Sequence, residues 1–138
     1  MELKFHALIL SVFLVIFGKG LRRAAANMKR RTKERMKDLD VGFKTVDNAL
    51  VIKIQGEIDS QSATLLRRKI DIEYDCANVR NMVFDLKDVN FMDSSGIGLI
   101  IGRYKRVSAL GGVIKIKGAN KTVRRIIELS GLGRIVKF

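Results

Sequence analysis

Beyond residue 40 the chain switches repeatedly between two hydrophobic periods, one of two residues and one of three to four, as strands exchanging with helices do. Phe43 to Val46 and Leu50 to Ile54 are short β-branched runs separated by the turn pair Asp47-Asn48, and they read as a hairpin. Within the second run Leu50, Ile52 and Ile54 alternate with Val51, Lys53 and Gln55. Gly56-Glu57-Ile58-Asp59 follows as a loop. Asp59 or Ser60 can cap the next helix, because a short side-chain oxygen satisfies a free N–H there. That helix runs to about Cys76, with Ala63, Leu66, Ile70 and Tyr74 facing inward and the basic residues at 67–69 in solvent. Asn81 to Leu86 is a strand so apolar at its centre (Met82, Val83, Phe84) that burial on both faces is expected.

A second helix spans Ile97 to Leu110 and closes at Gly111-Gly112, with Ile97, Ile100, Ile101, Tyr104 and Val107 at helical spacing. Gly98 and Gly102 lie one turn apart on it. Glycine inside a helix costs about 1 kcal/mol against alanine, so the pair predicts a close approach of this helix to the sheet. Arg103, Lys105 and Arg106 occupy its C-terminal half, where cations suit the helix dipole. Val113 to Lys117 is a further strand. Asn120 caps a last helix carrying Val123, Ile126, Ile127 and Leu129, ended by Gly131, and Gly133 to Phe138 reads as a final short strand. The order ββαβαβαβ is of the α/β class, with the later strands parallel and joined by right-handed crossovers.

The first 35 residues break this pattern. Phe5 to Phe17 is an apolar run of 13 residues interrupted by His6 and Ser11. A spanning helix needs about 20 residues, and a signal-peptide core of about 7 to 15 expects its positive charge ahead of the run rather than behind it. Three readings follow: a short membrane anchor with its basic flank in the cytoplasm, a partly inserted anchor, or a segment not normally made. The abrupt composition change at Met36, after the Lys/Arg/Glu-rich run Lys29 to Lys37, favours the third. Such residues have purine-rich codons, as bacterial ribosome-binding sites do. The reading is therefore a domain at 41–138 behind an extension at 1–35, cytoplasmic, and tethered to a membrane only if the extension is retained.

Charge and composition narrow the function. The formal net charge is +13, but +7 of it lies in residues 1–35 and the remainder forms no obvious stripe, which argues against direct nucleic-acid binding. Cys76 is the only cysteine and His6 the only histidine, and His6 lies outside the domain. Internal disulfides, zinc sites, Ser-His-Asp triads and Cys-His pairs are thereby excluded from the domain. No P-loop, no nucleophile elbow and no telling pair of carboxylates is present, so no cofactor and no enzymatic activity are expected. A small nucleotide hydrolase would need such groups.

Asp93-Ser94-Ser95-Gly96 stands out, since it places two hydroxyls and a carboxylate where a strand feeds a helix. In its plainest role one serine accepts a backbone N–H as a cap. In the sharper one a serine receives a phosphoryl group, whose charge of about −2 the helix N-terminus stabilises while Asp93 opposes it.

The run Phe91-Met92-Asp93-Ser94-Ser95-Gly96-Ile97-Gly98, continued by Gly102-Arg103-Tyr104-Lys105, resembles the STAS-domain family of anti-sigma factor antagonists, in particular its sporulation members. Gly56-Glu57-Ile58-Asp59 is similar to the family's first loop, and Gly111-Gly112 and Leu129-Ser130-Gly131-Leu132 to later landmarks; the likeness covers roughly 41–138. It implies an α/β sandwich with a mixed, mostly parallel sheet. It implies Ser95 as the phosphorylated serine, with Asp93, Ser94, Gly96 and Ile97 around it in a partner-binding surface and Asp59 divided between capping and partner contact. The implied partner is an anti-sigma factor that is also a serine kinase, bound in its nucleotide-loaded state, with release of a sporulation sigma factor, sigma-F. Phosphorylation blocks that binding and a serine phosphatase restores it. The apolar N-terminus keeps open a different use, as a STAS module beside a membrane transporter. The family also has a helix after its last strand, absent by Phe138, so Leu132, Ile135 and Val136 are expected to be less well covered.

Overall fold

The computed structural model describes residues 23–30 and 38–138. The chain divides into two compact units, Met1–Met36 and Lys37–Phe138. In the first, residues 23–30 are helical (α1) and exposed. The apolar run at Phe5–Phe17, His6 and most of the basic run before Met36 lie outside the described residues. Among the described residues no helix is long and apolar enough to cross a membrane.

The second unit is built on a four-stranded sheet in the order β1-β2-β3-β4, from β1 (Asp40–Val46), β2 (Ala49–Ile58), β3 (Asn81–Met92) and β4 (Ile114–Lys117). The Asp47-Asn48 turn makes β1 and β2 an antiparallel hairpin, with Phe43 opposite Ile52. Strands β2, β3 and β4 are parallel, with Ile52 beside Phe84 and Phe84 beside Ile116. The connections are α2 (Ser60–Ala77) and α3 (Ser94–Ala109), followed by α4 (Lys121–Leu129) and a 3-10 turn at Leu132–Arg134. The parallel strands advance in one direction across the sheet. Right-handed crossovers therefore put α2 and α3 on one face.

Side-chain alternation supplies the core. Leu50, Ile52 and Ile54 on β2, Met82, Phe84 and Leu86 on β3, and Ile114 and Ile116 on β4 are all buried, and they join Leu66, Ile70, Ile100, Val107, Val123 and Ile127 of the helices in one cluster. The expected inner face of α2 holds as read: Ala63, Leu66, Ile70 and Tyr74 are buried, with 67–69 exposed.

Several expectations change. Gly56 to Ile58 continue β2 instead of forming a loop, and β3 runs on to Met92 through irregularities in the β2–β3 register. Strand β3 is not buried on both faces, because Val83 and Asp85 on its second face are only half-covered. On α3 the inward residues include Leu99 and Arg103, while Ile101 is exposed. The final strand shrinks to one bridge. After Gly131 (φ +78°) the chain coils into the 3-10 turn, and Lys137 alone pairs with the edge of β4, donating to the Ile114 carbonyl at 2.9 Å and accepting from Ile116 N–H at 2.7 Å. Leu132 and Val136 are nonetheless buried, leaving Ile135 as the exposed member of the three.

Candidate functional site at the start of α3

The C-terminal ends of β2 and β3 lie side by side, with Ile58 paired to Met92 and Asp93 N–H donating to the Ile58 carbonyl at 3.2 Å. Each strand hands over to a helix through an aspartate in extended conformation, Asp59 before α2 and Asp93 before α3. In parallel sheets this edge is the usual place for ligands and partners, because helix N-termini and their free N–H groups converge there.

Asp59 closes a capping box. Its Oδ1 accepts from the N–H groups of Gln61 at 3.0 Å and Ser62 at 2.9 Å, and Ser62 Oγ accepts in return from Asp59 N–H at 2.8 Å. Ser62 Oγ also donates to the Glu57 carbonyl at 2.9 Å, fastening the cap to the end of β2. The sequence pattern concealed this box because serine stands where Glu or Gln is usual.

At the second handover Asp93 is the cap, not either serine: its Oδ1 accepts from Ser95 N–H at 2.8 Å. Helix α3 therefore begins at Ser94, three residues ahead of the apolar periodicity, which starts only at Ile97. Ser94 is exposed and Ser95 half-buried, and among the described residues neither hydroxyl makes a hydrogen bond. Gly96 and Ile97 are buried beneath them. An added Cβ on Gly96 would stand 2.5 Å from Met92 Cγ and 3.1 Å from Ile58 Cγ2. The close approach of α3 to the sheet is thus made at Gly96. Gly98 and Gly102, which had suggested it, have open space where a Cβ would stand.

Farther along, α3 is fastened to α2 by charge. Arg103 is buried, with Nε 3.1 Å from Asp71 Oδ1, and Arg106 bridges Asp71 at 2.8 Å and Asp75 at 2.5 Å. Burial pulls the Arg103 guanidinium below its ordinary range, opposed by Asp71. Hydrogen bonds donated to Asp71 and Asp75 push Arg106 upward. Arg103 is thus a packing residue of α3 rather than a solvated complement to its dipole. Its charge hid this in the sequence, since burial depends on Asp71, 32 positions earlier. No cluster of metal-ligating side chains exists among the described residues.

A four-stranded mixed sheet with its helices packed into one core, and a serine pair opening the helix after the third strand, defines the class: an α/β STAS-type fold. The STAS-domain family pattern matches residues 40–138, and the chain belongs to the STAS-domain family. The anti-sigma F factor antagonist of Paenibacillus polymyxa is 34% identical over 87 residues, covering 63% of this chain and 74% of that protein. The anti-sigma-B factor antagonist of Bacillus subtilis (strain 168) is 34% identical over 100 residues, covering 72% and 89%. Among solved structures, the anti-sigma factor antagonist SpoIIAA in its unphosphorylated form superimposes with a TM-score of 0.60 at 28% identity, over 70% of this chain and 85% of that one. The phosphorylated form of the Bacillus SpoIIAA gives 0.54 at 27%, over 70% and 88%.

Proposed function

We propose that the chain is an anti-sigma factor antagonist switched at Ser95. Unphosphorylated, it binds an anti-sigma factor that is also a serine kinase, in its nucleotide-loaded state, and sets free a sporulation sigma factor, sigma-F. The observation that carries the reading is a hydroxyl without a structural task. Asp93 caps α3, so Ser95 keeps an unbonded Oγ in the helix's first turn, at the strand end where partners reach it. Relatives of both the sigma-F and the sigma-B type share the fold, and SpoIIAA is known in a phosphorylated form.

Phosphate on Ser95 has opposed local effects. The dipole of α3 favours the added charge of about −2, while the Asp93 carboxylate repels it. In a tight interface that dianion must lose its water and faces whatever carboxylates the partner presents, so binding fails. A serine phosphatase restores it. The contact surface presents Asp93, Ser94 and Ser95, with Gly96 and Ile97 buried as the support beneath them and Asp59 at its border on the neighbouring strand end. Two glycines of α3, Gly98 exposed and Gly102 half-buried, fit the same reading. Gly98 and Gly102 fill no contact inside the domain, and each weakens the helix by about 1 kcal/mol. A partner backbone lying close against α3 accounts for them.

Incubation with the cognate anti-sigma kinase and ATP tests the assignment. Wild type is expected to be labelled and Ser95→Ala not. Ser95→Ala is expected to hold the kinase persistently and Ser95→Asp to bind it poorly. Equal labelling of Ser95→Ala and wild type would falsify the assignment of that serine.

A further inference from the structure

The sheet has a second face, and its composition is unusual for a surface turned away from the helices. Cross-strand register sets its residues in rows. One row reads Lys44, Val51, Val83, Lys115, and the next Gly42, Lys53, Asp85, Lys117. At the hairpin end a third row joins Val46, Ala49 and Asn81, and Val113 adjoins it through a 3.1 Å bond from Met82 N–H to the Val113 carbonyl. Val46, Ala49, Val51, Val83, Val113 and Lys115 line an open groove of about 470 Å³. Val46 is 44% and Val113 45% exposed at its rims, while Val51 on its floor is 7% exposed. A solvent-facing strand position ordinarily carries a polar residue, and here valines meet across neighbouring strands.

The groove carries more basic than acidic groups: Lys115 and Lys117 line it and Lys44 ends the valine row, against Asp47 of the hairpin turn. Lys44 and Lys115 close the valine row at its two edges, and neither has an ion-pair partner among the described residues. In the next row Lys53 and Lys117 do have carboxylates nearby, Asp88 at 3.8 Å and Asp85 at 3.9 Å. The groove sits where the parallel strands begin, at Ala49 and Asn81, whereas Ser95 follows the end where they finish.

We propose that this groove is a second docking surface, and that it takes an amphipathic helix of a partner protein with an apolar ridge and acidic flanks. The apolar ridge covers Val46, Val51, Val83 and Val113, and the acidic flanks meet Lys44 and Lys115. Two alternatives fit less well. A second copy laid face to face brings these lysines against one another, which disfavours the pairing. A lipid surface binds residues that protrude into it, and Val51 is recessed on the floor.

Titration of the isotopically labelled full chain, followed by amide NMR, tests the proposal. The probe is a synthetic helical peptide with leucine on one face and glutamate on both flanks, and its control carries lysine in place of glutamate. The glutamate peptide is expected to shift the amides of Val46, Val51, Val83 and Lys115 and to leave those of Ser94 to Ile101 unmoved. K44E with K115E, at exposed positions that leave the fold intact, is expected to weaken it about tenfold, and Val46→Ser to weaken it without changing its salt dependence. No groove shift with the glutamate peptide, or equal shifts with both peptides, overturns the proposal. So do groove shifts that grow with protein concentration alone, which would mark self-association. Phosphatidylcholine–phosphatidylglycerol vesicles that perturb the groove amides in wild type and not in K44E/K115E would make it a lipid-binding face instead.

Discussion

Three glycines on one helix separate packing from function. Gly96 is confined between Met92 and Ile58, so Gly96→Ala overfills the joint between β3 and α3. It is expected to destabilise the domain by about 1–3 kcal/mol, read by denaturant unfolding. Gly98 faces open space, so Gly98→Ala is expected to stabilise the isolated chain by about 1 kcal/mol. If a partner lies against α3 as proposed, the same substitution weakens anti-sigma factor binding. Stabilisation with unchanged binding would remove Gly98 from the interface. The two aspartate caps show how alike the strand ends are, because each accepts backbone N–H groups of the helix it opens. Ser60 after the first cap and Ser94 and Ser95 after the second all carry hydroxyls without a hydrogen bond among the described residues, so the caps alone do not single out the second strand end.

Between elements, the contact that orients α3 is ionic as well as apolar. Asp71 of α2 is the counter-charge of buried Arg103 and also holds Arg106. Asp71→Ala leaves the Arg103 guanidinium buried without a counter-ion and is expected to cost about 2 kcal/mol, reduced from a fully buried case because Asp71 is part-exposed. Tyr74, next along α2, donates its hydroxyl to the Arg80 carbonyl at 2.8 Å and so links α2 to the start of β3. Burial raises the Tyr74 pKa above its ordinary 10.0, against the pull of Arg106 and with the help of Asp75. The folded state thus holds this proton more tightly than the unfolded one. The contribution is complete below the unfolded value and is lost as pH rises through the folded one. Stability is expected to fall above pH 10.0, and Tyr74→Phe to flatten that decline in urea unfolding across alkaline pH. At neutral pH the same variant loses about 1 kcal/mol with the hydrogen bond.

For the whole molecule, residues Lys37–Phe138 form one compact unit and the family pattern begins at residue 40. The buried core cluster of this unit is drawn from residues 50–136. A fragment starting at Met36 is therefore expected to match the full chain in its unfolding midpoint, and a midpoint lowered by several degrees would show that the extension supports the domain. We propose that translation starts at Met36. Peptide mapping of the native protein checks this, with no peptide spanning Phe17 to Arg22 expected. The two proposed contact regions lie toward opposite ends of the strands, one where α2 and α3 begin and one where β2 and β3 begin.

The sequence by itself determined the α/β class, the hairpin, the inner face of α2 and the Asn120 cap. Each of these rests on neighbours within one or two turns, where side-chain period and capping chemistry act directly. Asn120 Oδ1 accepts from Val123 N–H at 2.9 Å, as that local logic requires. Tertiary structure decided the rest: that Gly96 rather than Gly98 or Gly102 meets the sheet, that Arg103 is buried, that valines and lysines of neighbouring strands meet on the second face of the sheet, and that the last strand is one bridge. These outcomes turn on residues far apart in the chain, such as Ile58 against Gly96, Asp71 against Arg103 or Lys115 against Lys137. A local pattern carries charge and size, but which element arrives to cover a residue is settled only when the strands have paired.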